Sequence, residues 1–284
     1  MEIAVATVFY QACLPYLKDY IKALQSQTLQ KFELLAFNDG VTELKSIFQS
    51  FDFSGARIID VIGNPIEIRE QVFSYLNKEN FKYYIFLDAD DYTSTNRIED
   101  AIILLQDHMI TFCNLSLINQ QGELLSDGFW SGRLHHGQII TQQDIRSANC
   151  IGLGNAAIRK EALQKIKLPK GLLIADWFIF HFLLNDYNAI FSNSSTVFYR
   201  QHAHNIGGLK QINLKRLHHI IKVKENYYYH LKELFDDFTS EYDDILRLKA
   251  RLNSARYAEL AIENLRKLKI NLFWWEETNY LNEN

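Results

Sequence analysis

The chain has 284 residues, 48% of them hydrophobic, which is enough for one large core with or without a helical appendage. Its formal net charge of −4 excludes the basic footprint of a nucleic-acid binder. The three cysteines, Cys13, Cys113 and Cys150, are scattered and form no CxxC pair, a pattern of reduced, buried thiols in a cytosolic protein rather than of a disulfide framework.

Met1 to Tyr10 is apolar but lacks the basic start of a signal peptide, and no run reaches membrane-spanning length. A soluble or peripheral cytoplasmic protein is expected. Ile3 to Phe9 reads as a first buried strand, and Pro15 starts a helix with Leu14, Leu17, Ile21 and Leu24 on one face. Phe32 to Phe37 is a second strand ending at Asn38-Asp39-Gly40, a turn signal. A short helix through Leu44 and Phe51, a strand over Ala56 to Ile62 and a helix opened by Pro65 follow. Strands alternating with helices of this length predict βαβ crossovers and a mostly parallel sheet.

Tyr83-Tyr84-Ile85-Phe86-Leu87 then runs into Asp88-Ala89-Asp90-Asp91. A short unbroken apolar run reads as a strand buried on both faces, and ligands gather outside the carboxyl ends of such strands. Carboxylates this close raise one another's pKa unless a positive partner joins them. A hard divalent cation, Mg²⁺ or Mn²⁺, carrying a substrate diphosphate is such a partner. The plainer reading is that Asp90 and Asp91 open a turn before the next helix, which Ser94 or Thr95 caps.

Ile110 to Leu115 is a further strand, and Gln121-Gly122 suggests a hairpin. Asp127 to Arg146, with Trp130, Arg133, His135 and His136, reads as a mobile loop over a site. Ala156 to Ile158 and Leu172 to Ile174 read as strands separated by a short helix from Lys160, and Asp176 caps or opens a helix through Leu184. Ala189 to Phe191 and Thr196 to Tyr199 close the sheet. From Leu209 the pattern becomes helical, over about 214–235 and 241–268, before a Phe273-Trp274-Trp275 tail.

The landmarks, in order, are an apolar first strand, Asn38-Asp39-Gly40, Arg69, Asp88-Ala89-Asp90-Asp91, Ala175-Asp176-Trp177 and Tyr199-Arg200-Gln201-His202-Ala203-His204-Asn205. This set resembles family 2 glycosyltransferases of the GT-A fold, as far as Gly208. The resemblance implies a Rossmann-like, mostly parallel central sheet flanked by helices over residues 1–208, with a C-terminal helical extension over 209–284. It implies an inverting transfer from a nucleotide-sugar donor, a UDP- or dTDP-sugar, to a hydroxyl of a glycan or lipid-linked glycan acceptor, in bacterial surface polysaccharide or lipopolysaccharide synthesis.

By the same resemblance Thr7 and Phe9 meet the nucleobase, Asp39 accepts a pyrimidine N–H and Arg69 approaches the base or diphosphate. Asp88 binds the ribose or sugar side, with a weaker claim to the metal. Asp90 ligates Mn²⁺ or Mg²⁺, His202 sits near the diphosphate and the metal, and Asp176 is the catalytic base. The sequence departs from the family pattern at Ala6-Thr7-Val8-Phe9-Tyr10, where Pro-Thr-Tyr-Asn is usual, at Asn38 in place of Asp, and at Ala175 in place of an acid.

Each residue also has a plain structural reading. Asp176 serves as a helix cap, Asp39 as a turn residue, Arg69 as a solvated helix charge, and His202 with His204 as strand-exit surface. Among enzymes, Gly152-Leu153-Gly154-Asn155-Ala156-Ala157 with Asp176 fits a dinucleotide fingerprint and an NAD-dependent dehydrogenase. Against that, Ala156 to Ile158 reads as a strand where the fingerprint needs a helix. A nucleotidyltransferase also needs acidic residues and a metal. A non-catalytic membrane-surface module is the rival from another class. Lys210, Lys215, Arg216, Lys222 and Lys224 lie on an apolar helical pattern suited to an anionic membrane, or to a homodimer contact.

Overall fold

The computed structural model of the chain describes residues 1–202, 212–268, 272 and 274–281. The Ala203-His204-Asn205 end of the landmark run, the Gly208–Leu209 boundary, Lys210 and Phe273 lie outside the described residues.

The apolar runs of the first 90 residues become β1 (Ile3–Tyr10), β2 (Glu33–Asp39), β3 (Ala56–Asp60) and β4 (Tyr83–Phe86). They pair in parallel in the order β3-β2-β1-β4. Between them run α1 (Leu17–Gln25), α2 (Leu44–Ser50) and α3 (Pro65–Lys78). Pro15 lies inside a short 3-10 turn, Gln11–Tyr16, so α1 begins two residues later than its proline suggests. The start of α3 is strongly specified. The Asn64 side chain accepts from Ile66 and Glu67 N–H, Glu67 returns a bond to Asn64 N–H, and Pro65 holds the first helical position. Such a cap is worth about 1 kcal/mol.

The chain goes from β1 outward to β2 and β3, then returns to β4 on the other side of β1. That reversal opens a crevice at the carboxyl ends of β1 and β4. Beyond β4 the sheet turns mixed. β5 (Tyr92–Thr93), α4 (Arg97–Leu104), β6 (Ile110–Ile118), β7 (Leu124–Ser126), β8 (Ile139–Ile140), β9 (Ala156–Arg159), α5 (Lys160–Leu163), α6 (Ala175–Leu183) and β10 (Ala189–Arg200) follow in order. β9 runs antiparallel between β4 and β6, and β10 lies parallel to β6. The described strands form one sheet, with β7 on β6 and β8 on β10.

Several local expectations are corrected. Leu172 to Ile174 is not a strand. It follows the Gly171 turn (φ +79°), Leu173 donates its N–H to the Asn226 side chain at 2.8 Å, and Ile174 is the residue that precedes α6. The two closing strands are one, β10, bulged between Ser192 and Thr196. Neither Ser94 nor Thr95 caps α4; Ser94 Oγ instead accepts from Thr196 N–H at 3.1 Å. The Asp127 to Arg146 segment is not an open loop, because Phe129, Trp130, Leu134, Ile140 and Ile145 are all buried.

The C-terminal pattern gives three helices, α7 (Leu214–Lys232), α8 (Thr239–Arg251) and α9 (Ala255–Lys267). The break falls at Leu252-Asn253-Ser254, where Asn and Ser compete for backbone hydrogen bonds. Among the described residues no helix is long and apolar enough to cross a membrane. Lys215 and Lys222 of α7 are exposed, but Arg216 and Lys224 are buried and turned inward. The core continues without interruption from the sheet into α7, where Trp177 stacks on Tyr227 at 3.8 Å.

A strap after α9, Trp274 to Leu281, folds back over the body. Lys224 Nζ holds it, donating to Ser147 O at 2.6 Å and Asn279 Oδ1 at 3.0 Å. Burial pulls the Lys224 pKa down to about 7, against the opposing pull of Glu277 and Glu276. The unfolded chain, whose lysine titrates near its ordinary value, therefore binds more protons between about pH 7 and 10 than the folded chain does. Stability from this group is lowest below pH 7 and rises with pH through that window. Thermal unfolding of Lys224→Met is expected to gain less melting temperature between pH 7 and 9 than the native chain; parallel profiles would overturn the assignment.

Candidate active site

The crevice between the ends of β1 and β4 encloses about 470 Å³, a volume ordinary for small-molecule sites. Side chains alternate across a strand, so β1 offers it Val8 and Tyr10. Thr7 and Phe9, expected at the nucleobase, point to the opposite face. Thr7 is buried against Tyr20 OH at 2.6 Å, and Phe9 packs edge-on against Tyr20 and Phe48. Their side chains do not line the crevice, and the one-residue offset has a period-two cause. Asp39, Arg69, Asp88, Asp90, Asp176 and His202 all do line it.

Asp39 ends β2 in a turn that Gly40 permits at φ +76°. Asn38, which replaces the usual Asp, has a local role. Its amide donates to Asp60 at 2.9 Å while its carbonyl accepts from Val41 N–H. A carboxylate there could not donate and would face Asp60. Arg69, on α3, reaches Asp88 at 3.6 Å.

Asp90 is buried, and one oxygen, Oδ2, takes both Tyr10 OH at 3.0 Å and His202 Nε2 at 2.7 Å. Among the described residues Oδ1 accepts no hydrogen bond. Asp91 is turned away to accept Arg200 N–H at 2.8 Å. The Arg200 guanidinium is buried behind the turn and donates to Asp90 O at 2.8 Å, Gln120 O at 2.9 Å and Asp19 at 2.9 Å. Asp88 keeps 39% of its side-chain surface. Burial pushes its pKa up to about 6, with Arg69 pulling down and Asp90 and Asp176 pushing further up. Asp91 is raised as well, by burial and then by Asp90 and Asp88. Burial and Asp90 also drive the Tyr10 hydroxyl far up, so it stays a neutral donor.

Asp176, the second residue of α6, accepts Leu153 N–H at Oδ2, 2.8 Å. Leu153 is the middle of the Gly152-Leu153-Gly154 turn. A Cβ on Gly154 would lie 2.3 Å from Asp88 Oδ2, and one on Gly152 would lie 2.8 Å from the Trp274 ring. These glycines are therefore close-approach glycines, not a dinucleotide fingerprint. The segment after them is strand β9, as its composition predicts, and supplies no helix for a pyrophosphate. Asn155 locks the turn, accepting from Gly152 N–H at 2.9 Å and donating to Cys113 O at 2.7 Å.

Residues missed from sequence are thus Tyr10, the two glycines, Arg200, and Trp274 and Trp275, which also line the crevice. Strand alternation could have found Tyr10, and the unused glycine pair could have found the turn. The long-range partners left no local signal. Among the described residues no three His, Cys, Asp or Glu side chains already converge on one point suited to a metal. The donor set nonetheless suits a hard cation that keeps most of its ligands from water and substrate. The crowded carboxylates of Asp88 and Asp90 face the crevice with an imidazole beside them.

No curated protein matches the chain. Among solved structures, S. aureus TarS 1-349 in complex with UDP-GlcNAc superposes with a TM-score of 0.62 at 15% identity, covering 93% of this chain and 76% of that one. GalNAc-T7 with UDP, GalNAc and Mn²⁺ gives 0.60 at 16% identity, over 84% of this chain and 49% of the other. The mannosyltransferase PcManGT from Pyrobaculum calidifontis, with GDP-Man and Mn²⁺, gives 0.56 at 13%, over 92% and 72%. At these identities the likeness establishes the fold, which is GT-A. The model of glycosyl transferase family 2 matches residues 4–167, more than half of the chain, and the protein belongs to that family.

Proposed function

We propose that the chain is an inverting, metal-dependent glycosyltransferase that moves a sugar from a UDP- or dTDP-sugar to a hydroxyl of a glycan or lipid-linked glycan. The observation that carries the reading is the division of one crevice. Asp88, Asp90, Arg69 and His202 gather at the acidic turn, and Asp176 enters the same crevice from α6, held by Leu153 N–H of the Gly152–Gly154 turn. The extension of a bacterial surface polysaccharide is supported by the Tyr199 to Asn205 run of the sequence.

Departure of a nucleoside diphosphate gathers negative charge on its leaving oxygen. Asp90, with Asp88 and His202, would hold Mn²⁺ or Mg²⁺ there, and the bound ion would offset that charge as a Lewis acid. Tyr10 and His202 fix one Asp90 oxygen, and among the described residues the other accepts no hydrogen bond. Arg69 adds a fixed positive charge on the same lip. At the far end Asp39 would accept a pyrimidine N–H, beside the apolar Val8 and Ile68.

The acceptor hydroxyl must lose a proton as it attacks. Asp176 is the carboxylate that would take it, entering the crevice from α6 and oriented by Leu153 N–H at one oxygen, with Oδ1 unbonded among the described residues. One base and one leaving-group lip support a single in-line displacement with inversion rather than a covalent two-carboxylate route.

Three outcomes are expected. Turnover of a UDP- or dTDP-sugar should stop on chelation and return with Mn²⁺ or Mg²⁺, and Asp90→Ala should lose at least ~10²-fold; equal rates with and without the ion would overturn the metal role. Asp176→Asn, which keeps a carbonyl oxygen for Leu153 N–H, should lose roughly 10²–10⁴-fold in kcat while the donor's dissociation constant holds. Gly154→Ala should displace Asp88 and weaken UDP binding by calorimetry by about 1–3 kcal/mol, and unchanged binding would show that the close approach is idle.

A further inference from the structure

The strap that closes the described chain is built at unusual cost. Glu276 and Glu277 are buried, and so are Arg216 and Lys224, which face them. Glu276 takes a two-pronged bond from Arg133 at 2.6 and 2.8 Å, and Glu277 takes Arg216 at 3.1 Å. Asn279 takes Lys224 and donates to Ser147 Oγ at 2.9 Å. Trp274 exchanges both backbone hydrogen bonds with Asn149, at 2.8 and 3.0 Å. Trp275 is held at φ +69°, a conformation that a bulky side chain rarely adopts. Buried ion pairs add little net stability over apolar packing, but they fix position.

What they fix is Trp274. Its ring is half-buried, meets Trp130 and Tyr199 edge to face at 5.3 and 6.0 Å, and rests on Gly152. It lines the crevice at the Gly152 end of the turn whose middle residue holds Asp176 and whose other glycine meets Asp88. The order along the crevice is therefore the diphosphate lip, the base, then the indole.

We infer that Trp274 is the platform of an acceptor subsite for a pyranose ring. This rests on the glycosyl-transfer reading above. A pyranose has a flat patch of C–H groups on its face and hydroxyls around its rim. An indole takes the apolar face by dispersion and burial, leaving a rim hydroxyl free to reach a neighbouring carboxylate. An alkyl chain would cover the same indole but bring no hydroxyl to Asp176. Trp275 also borders the crevice, but it is buried beneath Arg216 at 5.5 Å, and Trp274 is the half-exposed ring. Trp274 binds and orients the acceptor; it moves no proton.

The test uses the full chain with 5-fluorotryptophan at its four tryptophans, each ¹⁹F resonance assigned by one Trp→Phe variant. Methyl β-glucopyranoside, methyl β-galactopyranoside and methyl β-N-acetylglucosaminide are titrated with UDP and Mn²⁺ present, and mannitol serves as a ringless polyol. The Trp274 resonance should shift saturably with at least one pyranoside and not with mannitol, while Trp177 stays in place. Trp274→Ala should weaken that pyranoside by about tenfold, Trp274→Tyr should recover part of it, and the UDP-induced rise in melting temperature should be equal in all three proteins. A Trp274 resonance that no pyranoside moves overturns the inference, as does a Trp274→Ala protein that loses the UDP response along with the sugar. If no nucleotide stabilises the chain while Trp274 still answers the pyranosides, the donor assignment falls and the subsite stands.

Discussion

Three carboxylates crowded into one turn at the end of a buried strand are the constraint from which the rest of the site follows. Asp88, Asp90 and Asp91 lie too close together to carry charge side by side without neighbours to hold them. Each has a different solution. Asp91 turns back onto the backbone of Arg200, Asp90 is gripped at one oxygen by Tyr10 and His202, and Asp88 leans toward Arg69. The buried Arg200 guanidinium braces the turn from behind and is itself shared with Asp19, on the opening turn of α1. The acidic turn after β4 is held because β5, which follows it, pairs with β10, whose exit brings an arginine and a histidine to the carboxylates. The acidic turn and the end of β10 are thus one structural unit, although about 110 residues separate them in the chain.

A second economy lies in the Gly152–Asn155 turn. Its backbone must pass between Asp88, Asp176 and Trp274, and only residues without Cβ leave room at its two tight points. The same few atoms thereby set the spacing of Asp88 from Asp176. Because Asn155 ties the turn to Cys113 on β6, that spacing is inherited from the sheet and not from a loop.

Much of this was legible in the amino-acid sequence, for a local reason. Buried parallel strands read as unbroken apolar runs, and the helix start at Pro65 carries its own signal, so the βα order and the strand-end position of Asp88 and Asp90 could be derived; Asp176 is not the cap of α6, whose N-cap is Ile174. The offset at β1 came from carrying roles over from a resemblance without applying period-two alternation, which puts Tyr10 and not Phe9 in the crevice. Leu172 to Ile174 looked like a strand because three apolar residues in a row do not reveal whether their N–H groups have a sheet edge to meet; here one meets Asn226. The role of the strap could not be read at all. Glu276, Glu277 and Asn279 are ordinary polar residues until Arg133, Arg216 and Lys224 arrive from elsewhere in the fold.

The extent of the family match bears on how such a chain specialises. Asp39, Arg69, Asp88, Asp90 and the glycine turn all fall within residues 4–167, whereas Asp176, Tyr199, His202 and the Trp274 strap lie beyond it. The matched stretch supplies the parallel half of the sheet and the lip suited to a nucleoside diphosphate, a group that varies little in shape or charge. The Trp274 end of the crevice is assembled from α6 and a C-terminal strap held by buried ion pairs. On the function proposed above, the acceptor is the more variable of the two substrates, so the part of the crevice that would meet it has the greater need to change. The strap is positioned by buried charge pairs and not by register in the main sheet, so it can change without disturbing the strands that hold the acidic turn.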